Sequence, residues 1–80
     1  MSWWNVLKMS DKIKWIVDQL DDNGIVELSG MNNANEVEIV LEIPIDPRFI
    51  EWMNKQYKIE FVESWRVRTR HKYQIEVIGE

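Results

Sequence analysis

Four basic side chains alternate along one short segment near the carboxyl end of this 80-residue chain. In the sequence SWRVRTRHK, residues 64–72, every second position is basic: Arg66, Arg68, Arg70 and Lys72. In a β-strand such residues project from one face, with about 6.5–7 Å between neighbours. That spacing resembles the repeat of phosphates along a DNA strand, and arginine is well suited to binding phosphate. The segment therefore predicts a basic surface for nucleic acid or for an acidic protein partner.

The same basic residues have a purely structural interpretation. The outward faces of the preceding β-like segments carry acidic residues at alternate positions: Glu36, Glu38, Glu42 and Glu60. Beside the basic residues they would form cross-strand ion pairs, each worth only roughly 0.2–1 kcal/mol. Trp65 and Tyr73 are expected on the opposite face of a regular strand, whereas proteins that bind single strands interleave aromatic and basic groups on one surface. Unless a bend or bulge intervenes, this ranks an internal ladder or a protein partner ahead of nucleic acid.

The residue types that commonly perform catalysis show no catalytic pattern. His71 is the only histidine, and no serine lies in a nucleophile-elbow motif. The three glycines are isolated, which excludes a Gly-rich phosphate loop. Glu36, Glu38 and Glu42 are spaced closely enough for acid–base work, but we expect them to face solvent on an open sheet, without a surrounding pocket. The sequence predicts a protein that is not an enzyme.

The potential metal ligands are equally sparse. The chain has no cysteine, so thiolate ligands and disulfides are excluded, and a single histidine argues against zinc. Asp21, Asn23 and Gly24 match the third, fifth and sixth positions of an EF-hand loop. The first position is Gln19, however, and the twelfth is Gly30 instead of the bidentate glutamate. We expect no metal and no cofactor.

The composition is that of one small globular domain covering residues 1–80. Hydrophobic residues make up 45% of the chain and charged residues 30%. A chain of this size buries only roughly 60–65% of its unfolded surface, so its five tryptophans can contribute strongly to the core. Residues 1–63 carry 6 Lys or Arg against 12 Asp or Glu, whereas residues 64–80 carry 4 against 2. Such an acidic body argues against indiscriminate coating of nucleic acid.

Several features favour a cytoplasmic location. The amino terminus lacks the basic segment and apolar run of a secretion signal, and the absence of cysteine fits a reducing compartment. No apolar stretch approaches the roughly 20 residues needed to cross a bilayer. Residues 2–15 combine tryptophan and lysine, as membrane-surface segments do, but the aspartates from Asp11 to Asp22 oppose binding to an anionic surface. We expect no membrane partner.

Two helices are predicted from local signals. The first begins after the N-cap Ser10, ends at Gly24 and has one apolar stripe: Ile13, Ile16, Val17 and Leu20. The second begins with Asp46 as N-cap and Pro47 at the first helical position. Its inner stripe is Ile50, Met53 and Tyr57, with Phe49 and Trp52 flanking.

The remaining segments are β-like. Residues 36–43 alternate cleanly and place one set of apolar residues inward: Val37, Ile39, Leu41 and Ile43. No Gly, Pro, Asn or Asp interrupts residues 58–78, yet that length exceeds an ordinary strand, so we expect a bend at Ser64 or at Arg70-His71. The order α-β-β-α-β-β predicts a two-layer α+β fold, with a four-stranded, mainly antiparallel sheet and both helices on one face.

The two halves of the chain resemble each other weakly. IKWIVDQ at 13–19 and IEWMNKQ at 50–56 share Ile, Trp and Gln in register. One interpretation is an αββ duplication over about 10–44 and 46–78; the other is that two amphipathic helices are built from similar residues.

An open, charged sheet face and exposed tryptophans favour recognition rather than chemistry. The main hypothesis is a non-catalytic protein-interaction module that also self-associates through an edge strand or through its amino-terminal tryptophans. The alternative is nucleic-acid binding through residues 66–72. The residues expected to bind a partner are Trp3, Trp4, Arg66, Arg68, Arg70 and Lys72.

Overall fold

A computed structural model describes residues 8–79, so Trp3 and Trp4 lie outside the described residues. The elements are α1 (Asp11–Gln19), β1 (Ile25–Gly30), β2 (Glu36–Leu41), α2 (Pro47–Met53), β3 (Tyr57–Trp65) and β4 (Arg70–Val77). All strand pairs are antiparallel and form one sheet in the order β1-β2-β4-β3. The predicted α+β fold and its α-β-β-α-β-β order are confirmed. Along the described residues, no helix is long and apolar enough to span a membrane.

Helix α1 forms where its local signals predict. The Ser10 hydroxyl accepts a hydrogen bond from the Ile13 N–H at 3.3 Å, which satisfies one free amide of the first turn. The predicted apolar stripe is buried against the sheet: Ile13, Ile16, Val17 and Leu20. A short 3₁₀ turn (Asp21–Asn23) follows, and Gly24 then takes a left-handed backbone with φ of 75°.

Gly24, which connects the 3₁₀ turn to β1, has little room for a side chain. A Cβ there would lie 2.6 Å from Oε1 and 3.2 Å from Cβ of Glu42, whose carboxylate is 3.5 Å from Arg70. We expect Gly24→Ala to lower the free energy of unfolding by about 1–2 kcal/mol, the cost of a left-handed alanine. Urea denaturation measures this loss. Gly30→Ala is the control, because its Cβ would meet nothing within 4 Å; an equal loss in both variants would contradict the explanation.

Helix α2 begins at the predicted cap. The Asp46 carboxylate accepts a hydrogen bond from the Arg48 N–H at 2.8 Å, and this bond lowers the pKa of Asp46. The cap therefore stabilises the helix at neutral pH, and this contribution is lost as the pH falls through the lowered pKa. The helix packs three partly buried residues against the core: Phe49, Ile50 and Met53. Trp52 remains 74% exposed on the flank of the helix.

The core lies between the helices and the inner face of the sheet. Its fully buried side chains are Ile13, Ile16, Val17, Val37, Ile39, Leu41 and Ile75. Two tyrosine hydroxyls connect layers at its margin: Tyr57 donates to the Lys12 carbonyl at 2.8 Å, and Tyr73 accepts from the Ile45 N–H at 3.1 Å. The segment that contains α2 connects β2 to the far edge of the sheet, where β3 forms. β4 then returns and pairs between β2 and β3.

The second strand is shorter than predicted. β2 ends at Leu41, and Ile43, which was expected to face inward, is exposed. The amides of Glu42 and Ile43 donate at 2.9 Å to the carbonyls of Gly24 and Asn23. These bonds hold residues 42 and 43 against Gly24 and the 3₁₀ turn, while pairing of β2 with β4 ends at Leu41. The alternation of residues 36–43 therefore does not continue as a strand to its end.

Candidate interaction groove on the outer sheet face

The basic residues singled out in the sequence do not form one strand. Arg66 and Arg68 lie in the turn formed by residues 66–69, whereas Arg70 and Lys72 lie in β4. The prediction of a continuous basic ridge on a strand is therefore wrong. The structure instead divides the set into a pair at the tip of the β3–β4 hairpin and a pair on its second strand.

The bend also falls between the two expected positions, Ser64 and Arg70-His71. Thr69 takes a positive φ of 51°, a conformation that is uncommon for a β-branched residue. Nη1 of Arg70 donates to the Arg68 carbonyl at 2.8 Å and supports the turn. Because the left-handed position holds threonine instead of glycine or asparagine, the usual sequence signal of a hairpin turn is missing.

A β-bulge in β3 changes which side chains share a face. Phe61 pairs with Tyr73 and Glu63 pairs with Lys72, so Val62 has no partner in the register. An extra residue of this kind shifts the alternation of all later residues in the strand by one position. The residues after Val62 therefore face the side opposite to the one that simple alternation predicts.

The bulge brings an aromatic ring to the basic side of the sheet. Trp65 pairs directly with Arg70 and lies on the outer face, away from the helices, with 40% of its surface exposed. Nζ of Lys72 lies 5.6 Å from the centroid of the Trp65 ring, within reach of a cation–π interaction. Tyr73 is buried on the inner face, as expected. Trp65 therefore shares a face with Arg70 and Lys72, and the bulge is the exception to a regular strand that the sequence left open.

A groove of about 470 Å³ opens on the outer face beside the turn. It is lined by Val26, Glu27, Val40, Trp65, Val67, Arg68, Arg70 and Lys72. All four strands and the hairpin turn contribute, so the groove depends on the complete sheet. Its volume falls within the range of about 300–1,000 Å³ that is typical of binding pockets. The outer face is thus not only the open charged surface that the alternating glutamates predict.

Two of the four basic residues form part of an internal ladder. Arg70 lies 3.5 Å from Oε2 of Glu42, and Lys72 lies 3.5 Å from Oε1 of Glu38. Lys72 thus contacts a residue within β2 and Arg70 the residue that follows β2, as the structural interpretation predicts. Glu60 pairs instead with Lys58 on its own strand at 3.7 Å.

The hairpin tip carries the other half of the basic set. Among residues 8–79, neither Arg66 nor Arg68 has a carboxylate within ion-pair distance. Val67 between them is 95% exposed, the largest exposed fraction of any large apolar side chain that the structure describes. The tip thus presents two available guanidinium groups around an apolar side chain.

Among residues 8–79, the other candidate chemical groups are His71, the serines and the glutamates of β2 and of the residue after it. His71 pairs with Leu41 and with Ser64 across the sheet, but no side-chain hydrogen bond joins His71 to Ser64. In the part of the chain that the structure describes, no three His, Asp or Glu side chains come together to hold a metal ion. Glu38 and Glu42 each contact a basic residue of β4.

Sequence reasoning missed the apolar part of the groove. Val40 is the apolar member of the alternating set that also contains Glu36, Glu38 and Glu42, and it lines the groove together with Val67. The place of Val40 in that set is the signal that could have identified it, whereas Val67 reaches the groove from the turn at 66–69. Val26 gave no such signal, because it reaches the outer face through a second bulge between Ile25 and Glu27. Comparison of the chain with protein-family models, curated proteins and solved structures found no match.

Proposed function

We propose that this protein is a non-catalytic protein-interaction module, and that its outer groove binds an acidic partner segment through an apolar anchor residue. One observation carries the proposal: apolar and basic side chains line the same groove. Its apolar surface comes from Val26, Val40, Trp65 and Val67, and its basic rim from Arg68, Arg70 and Lys72.

The apolar lining of the groove favours binding of an apolar side chain over binding of an ion. Trp65 and Val67 both retain exposed surface, and covering apolar surface contributes about 25 cal/mol per Å². Tryptophan and arginine are also the residues most enriched among those that dominate protein interfaces. A partner residue such as leucine or phenylalanine in the groove would cover the exposed surfaces of Trp65 and Val67 at the same time.

The charges favour an acidic protein segment over nucleic acid. The groove's own rim includes Glu27, and the outer face also carries Glu38, Glu42 and Glu63. A nucleic acid brings a phosphate at each nucleotide and would place several of them against these carboxylates. A peptide can place one or two carboxylates at the hairpin tip and stay neutral elsewhere. Nucleic-acid binding is the second candidate, favoured by the presence of Trp65 and Lys72 on one face.

Fluorescence anisotropy separates the two candidates. The probes are labelled peptides in which one leucine, phenylalanine or tryptophan stands between aspartates, the same peptides with lysine in place of aspartate, and oligothymidylate. We expect the aspartate peptides to bind, the lysine peptides to bind much more weakly, and an appreciable part of the affinity to persist at high salt. Strongly salt-dependent binding of oligothymidylate alone would favour the second candidate, and binding of no probe would contradict the proposed groove.

Arg68 tests the basic rim. We expect Arg68→Ala to weaken binding of the aspartate peptides by about two- to fivefold, which corresponds to one exposed ion pair. The control is Arg48→Ala, which removes the same charge from the exposed first turn of α2. An equal loss of affinity in both variants would show that only the net charge matters and would contradict a role for the hairpin tip.

A further inference from the structure

β3 is an edge strand, and its free edge carries unpaired backbone groups. Within residues 8–79 it pairs only with β4. At the start of the strand, the Ile78 N–H donates to the Gln56 carbonyl at 2.9 Å, so Gln56 turns its carbonyl toward β4. The Val77 N–H donates to Asn35 at 2.9 Å and points away from β3. Tyr57, opposite Val77, therefore turns its amide and carbonyl to the free edge.

The same alternation fixes the later residues of the strand up to the bulge. Ile59 and Phe61 follow Tyr57 at two-residue spacing, so their amides and carbonyls also point to the free edge. Lys58 and Glu60 direct theirs toward β4, with Glu76 and Gln74 as register partners. A regular five-residue edge, Tyr57–Phe61, is thus available for pairing, and the bulge at Val62 ends it.

We propose that a second copy of this chain occupies this edge, with the two β3 strands antiparallel about a twofold axis at Ile59. In this register Ile59 faces Ile59 of the second copy, and Tyr57 faces Phe61 of the second copy. These are the residues with free amides and carbonyls, so each exchanges both hydrogen bonds with its partner. The two sheets join into one continuous eight-stranded sheet.

The outward side chains select this register over its neighbours. With the axis at Ile59, Lys58 lies directly opposite Glu60 of the second copy, and the pair occurs twice by symmetry. Moving the axis to Lys58 would place two lysines opposite each other, and moving it to Glu60 would oppose two glutamates. Cross-strand pairs of opposite charge are favourable and like charges directly opposite are unfavourable, so the edge is complementary to itself in one register only.

The inner face of the edge also has apolar surface to cover. Phe61 is 58% exposed, although it lies on the helix side of the sheet opposite Tyr73. In the proposed dimer Phe61 lies directly opposite Tyr57 of the second copy, and because Tyr57 is only 3% exposed in its own chain, the apolar surface that becomes covered is that of Phe61. The opposite edge of the sheet, β1, offers a shorter regular segment because its own bulge follows Ile25.

Dimerisation at this edge leaves the groove open. Trp65 lies six residues beyond Ile59, about 20 Å along the strand, on the far side of the bulge. The twofold axis is perpendicular to the sheet, so both grooves lie on one face of the dimer. The dimer therefore does not depend on the proposed peptide binding, and either can fail alone.

Sedimentation equilibrium of the full chain over a range of concentrations tests the dimer and its charges. We expect the wild-type chain to form a reversible dimer, and Lys58→Glu or Glu60→Lys to raise its dissociation constant by about tenfold or more, since each reversal creates two like-charge contacts. The combined variant Lys58→Glu/Glu60→Lys should restore the wild-type constant. A wild-type chain that stays monomeric throughout, or a combined variant as weak as the single ones, would overturn the proposal.

Cysteine cross-linking tests the register itself, since the chain contains no natural cysteine. Lys58→Cys and Glu60→Cys proteins are purified separately, mixed and oxidised. Residues 58 and 60 of opposite copies form a non-hydrogen-bonded pair with Cα atoms about 4.5 Å apart, within the range of a disulfide. We expect rapid cross-linking in the mixture and slow cross-linking of either protein alone. Faster cross-linking of one variant with itself would indicate another register and overturn the proposed axis.

Discussion

Replacing Trp65 by alanine should weaken binding of the aspartate peptides by about 30-fold or more, the effect of losing a residue that contributes about 2 kcal/mol at the centre of an interface. Trp65 lies on the groove side of β3 only because of the bulge, and its ring lies beside Lys72. Its removal takes away the largest apolar wall of the groove and the aromatic partner of that ammonium group.

The matched control is Trp52→Ala. Trp52 is 74% exposed on α2, on the helix side of the sheet, and loses the same indole ring. We expect its affinity for the peptides to equal that of the wild-type chain. Thermal unfolding of both variants ensures that a binding defect is not a folding defect. If Trp65→Ala binds as tightly as Trp52→Ala, the groove is not the binding site.

The largest loss of stability is expected from Ile39→Ala. Ile39 is 0% exposed in β2, with Leu28 of β1 on one side and Tyr73 of β4 on the other. Truncating such a residue costs about 2–5 kcal/mol, because apolar contacts are lost and a cavity remains. At about 0.05–0.15 kcal/mol per residue, this chain has a total stability of only about 4–12 kcal/mol. The substitution should therefore remove a large fraction of the free energy of unfolding.

Urea denaturation followed by tryptophan fluorescence measures this effect. Ile78→Ala is the control, since Ile78 is exposed after the end of β4 and should change the free energy of unfolding by less than about 0.5 kcal/mol. Ile39→Val should be intermediate, with a loss of about 0.5–1.5 kcal/mol. Similar losses for Ile39→Ala and Ile78→Ala would contradict the position of Ile39 at the centre of the core.

The two helices, the order of the elements and most of the core can be predicted from the amino-acid sequence. Caps and apolar stripes depend on residues a few positions apart, so Ser10 and Asp46 identify where the helices begin. The alternation of residues 36–41 likewise predicts the buried face of β2. Local signals were also enough to place the basic and acidic residues of the ion-pair ladder on one side of the sheet.

The geometry of the β3–β4 hairpin, and with it the candidate site, depends on tertiary contacts. The bulge at Val62 is defined by pairing with β4, and nothing in the residues around Val62 indicates that it lacks a partner. The turn at 66–69 likewise has no glycine or asparagine to mark it. Because a one-residue shift in pairing moves a side chain to the other face, these two features determine that Trp65 meets Lys72. The groove therefore results from strand pairing, a property of the folded sheet that no local pattern in the chain contains.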